Sequence, residues 1–256
     1  MRRGAKSLLA AIAMGLLLST GALAFADESG AHWSYSGATG PEHWGTLEKD
    51  YSSCALGKTE SPIDIPDDVA TKADLPAIHF DYKSSTLRII DNGHTIQINY
   101  APGSFIEVGG QRYQLVQFHF HRPSEEEING KRYDMVAHLV HRNSNGQTAV
   151  VAVLLTHGAA NPLIKTLWEH LPQEKNHEVA VDAVNIDAAA LLPRDKGYYT
   201  FAGSLTTPPC TEGVTWFVLR TPTPMSAEQL ARFAAVYPMN ARPVQALNHR
   251  QIKASQ

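Results

Sequence analysis

Gln117-Phe118-His119-Phe120-His121, followed seventeen positions later by His138-Leu139-Val140-His141, is the stretch that decides how this chain reads. Side chains alternate across a β-strand, so His119 and His121 are expected on one face and Val116, Phe118 and Phe120 on the other. The intervening residues 122–132 are polar and end near a turn-prone Asn129-Gly130. Residues 133–141 are therefore expected to return as a neighbouring antiparallel strand that sets His138 beside the histidine pair. Three neutral imidazoles suit zinc, and three protein ligands leave a fourth coordination position for water, which separates a catalytic zinc from a structural one. Neither cysteine is needed as a ligand. Taken alone, a His-x-His pair on a strand also describes cross-strand packing or a surface feature, so the remainder of the chain has to decide.

Strand-like runs recur at residues 86–90, 95–100, 105–108, 113–121, 133–141, 148–156 and 214–220, several joined by turn signals such as Asp91-Asn92-Gly93 and Asn145-Gly146. Helices are few. One is expected over 162–170 after an Asn161 cap, and one over 226–237, opening with a capping box formed by Ser226 and Gln229. Residues 27–61 and 179–200 read as Pro- and Gly-punctuated coil that wraps the surface or builds a site. The fold expected is mostly β, with a few short helices on its flanks.

Residues 1–26 read as a secretory signal: Arg2, Arg3 and Lys6 precede an apolar run over 8–18, and Ala24-Phe25-Ala26 has the small-x-small cleavage pattern. The run is shorter than the roughly 20 residues of a membrane span, so no stable membrane anchor is expected after cleavage. The mature chain, residues 27–256, is read as one catalytic domain without repeat or linker. Removing the three basic residues leaves 19 Lys and Arg against 25 Asp and Glu. This mildly acidic balance, with no basic run, argues against a nucleic-acid partner. Two cysteines, Cys54 and Cys210, in a chain bound for an oxidising compartment suggest one long-range disulfide; two buried free thiols are the alternative.

Seven segments carry a family likeness: Gly40-Pro41-Glu42-His43-Trp44, Ser61-Pro62-Ile63-Asp64-Ile65, Asn92-Gly93-His94, 117–121, 138–141, Ser204-Leu205-Thr206-Thr207-Pro208-Pro209-Cys210 and Val214-Thr215-Trp216. Together they resemble the alpha-class carbonic anhydrases, in particular the exported bacterial branch, in order from about residue 32 to 252. The resemblance implies a single domain around a large, mainly antiparallel twisted sheet of about ten strands, with Zn2+ at the base of a conical cleft. It implies a periplasmic enzyme in which zinc-bound hydroxide reversibly hydrates carbon dioxide to bicarbonate and a proton.

Residue by residue, the resemblance makes His119, His121 and His138 the metal ligands. Thr206 matches the threonine that accepts from the hydroxide while donating to a glutamate, here Glu125. Val140, Val150, Leu205 and Trp216 match the apolar wall that binds substrate, with Thr207 beside them. His94 matches the proton shuttle, its ordinary pKa of about 6.5 suiting exchange with buffer. Tyr35 matches a tyrosine that orders the cleft's water chain, and Gln117 a partner that orients His119. Cys54 and Cys210 match the bacterial disulfide, and cis peptides are implied at Ser61-Pro62 and Pro208-Pro209. Bacterial relatives are often dimers; no residue here defines an interface, and a homodimer stays open.

The match has gaps. Many members carry a glutamate two residues before the third ligand histidine, where it accepts that ring's remaining proton; this chain has Val136, and valine cannot accept. Either another acceptor compensates or zinc is held less tightly. Arg122-Pro123 replaces Trp-Gly of animal members, and Glu126 stands where they carry histidine. Two alternatives to catalysis follow: a non-catalytic binding module of carbonic-anhydrase-like fold, which usually lacks a ligand histidine, and a periplasmic zinc-binding protein, for which the 12 histidines are too dispersed.

Overall fold

Twelve strands form one sheet in the computed structural model, which describes Met1 and residues 32–256. The expected signal, residues 1–26, falls outside the described residues apart from Met1. Every described element lies in the unit Ala31–Gln256. Across the sheet the order is Glu178–Ile186, Ser85–Asp91, Ile96–Asn99, Gln111–His121, Met135–Arg142, Thr148–His157, Glu212–Met225, Tyr198–Ser204, Lys253–Ser255 and Thr71–Ala73. Most neighbours are antiparallel, but Thr148–His157 runs parallel to Glu212–Met225, and Lys253–Ser255 parallel to Thr71–Ala73. The sheet is therefore mixed.

The central strands are buried on both faces. Along Thr148–His157, Val151, Val153 and Leu155 enter one core with Phe118, Phe120, Leu139 and the helix residues Ile164, Leu167, Trp168 and Phe233. The alternate residues Val150, Ala152 and Leu154 enter a second core with Ile63, Ile65, Val136 and Trp216. This two-faced burial follows from the period-2 alternation, and the site grows on the second face.

One strand departs from simple alternation. Val140 pairs with Gln117 and His141 with Leu115, which leaves Val116 as an extra residue in a β-bulge, 42% exposed. Tyr113 and Leu115 face the first core before the bulge, Phe118 and Phe120 after it. The expected grouping of Val116 with the two phenylalanines is thus corrected. The bulge shifts the parity, and this shift turns the odd-numbered His119 and His121 away from the apolar core.

Helices Pro162–Glu169 and Ala227–Val236 start as their sequence dictates. The Asn161 side chain accepts from the Leu163 and Ile164 amides, and Ser226 and Gln229 close a reciprocal capping box. Among the described residues, no helix is long and apolar enough to cross a membrane. The stretch 179–200, expected as coil, instead contributes to two strands, Glu178–Ile186 and Tyr198–Ser204. The first is an edge strand broken by an irregularity between Val181 and Asn185 and mostly solvent-facing, so its composition lacks a buried strand's apolar run. Cis peptides precede Pro62 and Pro209 as expected, and also Pro123.

Candidate metal centre and active site

His138 lies directly opposite His119 in the antiparallel pairing of Met135–Arg142 with Gln111–His121, so the two side chains share a face. One nitrogen from each of His119, His121 and His138 lies within 4.8 Å of the others. The second nitrogen of every ring is anchored. His119 Nδ1 donates to Gln117 Oε1 at 2.8 Å, His121 Nδ1 to the Asn240 carbonyl at 2.7 Å, and His138 Nε2 to Glu126 Oε1 at 2.9 Å. Each anchor fixes a tautomer and turns the opposite nitrogen inward, the arrangement typical of histidine metal ligands.

Burial keeps the first two rings neutral. Desolvation, reinforced by the neighbouring His138, lowers the His119 pKa to about 3 and that of His121 well below its ordinary value. His138 differs: burial pushes it down, but Glu126 and Glu125 outweigh this and the net direction is upward. His121 Nε2 is buried without a hydrogen-bond partner. Such an atom is costly unless something fills its lone pair, and a zinc ion would. The donor set, three imidazoles without a thiolate, fits zinc with an open fourth position.

Glu125 is fully buried above the triad, its Oε2 3.5 Å from His121 Nε2 and 3.8 Å from His138 Nδ1. Burial raises its pKa to about 7, opposed by His138, the Thr206 hydroxyl and the Arg242 amide. The Arg242 amide donates to Glu125 Oε1 at 2.7 Å. Thr206, only 6% exposed, lies beside the carboxylate that the resemblance pairs with it.

The Thr206 loop is tied down from several sides. The Cys54–Cys210 disulfide forms four residues beyond Thr206, so the free-thiol alternative is excluded. The Trp216 indole donates to the Ser204 carbonyl at 3.0 Å, and Ser204 Oγ accepts from the Ser61 amide at 2.9 Å. Buried Arg242 donates to Glu60 Oε2 and the Ser61 carbonyl, both at 2.7 Å, and to the Cys54 carbonyl at 2.9 Å. Its charge is balanced by Glu60, as a buried guanidinium requires.

The family model described as eukaryotic-type carbonic anhydrase matches residues 39–256. The chain belongs to this family. It is 40% identical to a carbonic anhydrase of Nostoc sp. over 98% of this chain and 96% of the relative. To a carbonic anhydrase of Klebsiella pneumoniae it is 45% identical, over 87% of this chain and 90% of the relative. The solved alpha-carbonic anhydrase of Thermovibrio ammonificans, in complex with the inhibitor sulfanilamide, superposes with a TM-score of 0.84 at 44% identity, covering 88% of this chain and 99% of that one.

Among the other residues expected at the site, Trp216 meets the triad directly. Val150 and Trp216 are buried in one cluster, with Val140 and Leu205 packed against it, and the Trp216 ring meets His138 edge-on at 4.9 Å. Thr207 begins the tight turn that ends at Cys210, its carbonyl accepting the Cys210 amide at 2.8 Å. His94 follows the Asn92 turn and stacks on Trp33, ring centroids 3.6 Å apart and ring planes nearly parallel. Its pKa is lowered, first by burial and then by His32 and Lys175. Tyr35 packs against Trp33 and Trp44 with its pKa well raised, chiefly by burial and next by Glu125.

Four site residues escaped the sequence reading: Asn240, Arg242, Glu60 and Trp33. Asn240 is the most connected. Its carbonyl takes His121, its side-chain oxygen accepts from the Arg122 amide, and its side-chain nitrogen donates to the carbonyls of His94 and Phe120. It sits 119 positions from His121, in an irregular segment with no periodic signal.

Proposed function

We propose that this chain is a periplasmic carbonic anhydrase that uses zinc for the reversible hydration of carbon dioxide to bicarbonate and a proton. The observation carrying this reading is the triad: three inward nitrogens converge, each backed by a hydrogen bond, beside Thr206 and Glu125. His119, His121 and His138 would hold the zinc. The zinc would supply a water activated as a nucleophile near neutral pH, the behaviour known for this enzyme family and not deduced from the geometry.

The protein's own groups provide the rest. Thr206 donates a hydrogen bond from its hydroxyl to Glu125, which leaves its oxygen to accept from the nucleophile and aim it at the substrate carbon. Carbon dioxide has no hydrogen-bond donor and little polarity, so the apolar surface of Val140, Val150, Leu205 and Trp216 can hold it without stranding a polar group. His94 takes the released proton at a ring nitrogen and hands it to buffer, and the Trp33 stack gives its ring a defined seat. Tyr35 borders the same path.

The signal expected at residues 1–26 and the disulfide support export to the periplasm. Metal analysis joined to a hydration assay tests the proposal: about one zinc per folded chain with hydration activity is expected. A folded, zinc-loaded chain without hydration would overturn it and favour the binding-module alternative.

A further inference from the structure

Val136 and Glu126 are two halves of one exchange. Val136 and His138 stand two apart on one strand and so share a face, and Val136 lies opposite His121. A carboxylate at position 136 would therefore reach His138. The valine there is instead fully buried, in the cluster with Ile63 and Ile65.

The carboxylate arrives from another segment. Glu126 is fully buried, and both of its oxygens face His138 Nε2, at 2.9 and 3.2 Å. Among the described residues, no other hydrogen-bond donor to the Glu126 carboxylate is found. A buried carboxylate with a single donor is strongly committed to it.

The backbone around Glu126 is fixed accordingly. Ser124 Oγ donates to the Glu126 carbonyl at 2.7 Å and accepts from the Tyr133 amide at 2.9 Å, and the Glu127 amide donates to the Ile63 carbonyl at 3.2 Å. Neighbouring residues in this segment then divide the His138 ring between them: Glu125 lies toward Nδ1 and Glu126 toward Nε2.

We infer that Glu126 is the positioning residue of the third metal ligand, supplying from the 124–127 segment the acceptor that Val136 cannot provide. This rests on the zinc reading above. By accepting from Nε2–H, Glu126 holds His138 in the tautomer whose Nδ1 lone pair faces inward, and makes that nitrogen a stronger donor.

The test uses the zinc-loaded protein with 15N-labelled histidines. The ring N–H resonance of His138 is expected far downfield, as a proton shared with a carboxylate, and Glu126→Gln moves it upfield while leaving those of His119 and His121 in place. Zinc competition with a chelator is expected to show affinity weakened roughly 10- to 100-fold in Glu126→Gln, with recovery in Glu126→Gln/Val136→Glu. If Glu126→Gln does not fold, Glu126→Asp and the wild-type resonance carry the test. An unshifted His138 resonance, or zinc affinity unchanged in Glu126→Gln, overturns the inference. A wild-type protein that binds no zinc overturns the zinc reading instead.

Discussion

Replacing Cys54 and Cys210 together by serine removes a tether that closes a loop of 156 positions. If the bond acts by restricting the unfolded chain, a loop of that length corresponds to about 5 kcal/mol. For a domain of this size such a loss lowers the melting temperature by roughly 10–20 °C. The effect on catalysis is separable. Cys210 lies four residues from Thr206, and that loop has a second set of holds through Ser204, Ser61 and Arg242. The loop should therefore loosen without detaching. A misplacement of about 1 Å can cost about 100-fold in rate, and the retained holds place the expectation nearer a ten-fold fall in kcat/KM. Thermal melting, zinc content and hydration, all measured well below the variant's melting temperature, decide the matter. Full zinc, a lowered melting temperature and a reduced rate are expected. Unchanged kcat/KM in a destabilised variant would refute the link between disulfide and Thr206, and a melting temperature within a few degrees of wild type would refute the loop-entropy reasoning.

His121→Ala should abolish both zinc retention and hydration, because it removes a ligand and strands the Asn240 carbonyl; metal analysis after gel filtration checks this. His94→Ala should leave zinc content unchanged, slow turnover mainly in weak buffer, and respond to added imidazole. Equal loss in all buffers would argue against the shuttle. His141 is buried, with Tyr82 Oη 2.8 Å from its Nε2, and burial lowers its pKa from 6.5 to about 3. The unfolded chain therefore takes up the proton first. The stability is fully present above pH 6.5 and is lost as pH falls toward 3, by about 2 kcal/mol at pH 5. His141→Gln should reduce the difference in urea-unfolding free energy between pH 7 and pH 5 by about that amount.

The parts of this site that could be read from sequence are those written in short-range patterns. His119 and His121 lie on one face because strands alternate, His138 joins them because its strand returns antiparallel, and the two longer helices announce their caps; the Asn129-Gly130 turn itself joins the short strands Glu127–Ile128 and Lys131–Arg132. The bulge at Val116 was not legible, since an inserted residue preserves composition and merely shifts parity. Asn240 and Arg242 were hidden for another reason. Their roles arise from backbone atoms and long-range contacts, which no residue pattern marks. The edge strand Glu178–Ile186 lacked the apolar run of a buried strand. Val136 was visible as a missing acceptor, but its replacement, ten positions earlier and facing the same ring, needed the folded chain to be seen.

The most direct test of the account is stopped-flow hydration of carbon dioxide by the purified protein, followed through zinc removal and restoration. Activity that disappears with the metal and returns with zinc is the predicted result. A folded protein that retains zinc at His119, His121 and His138 and hydrates no carbon dioxide would contradict it.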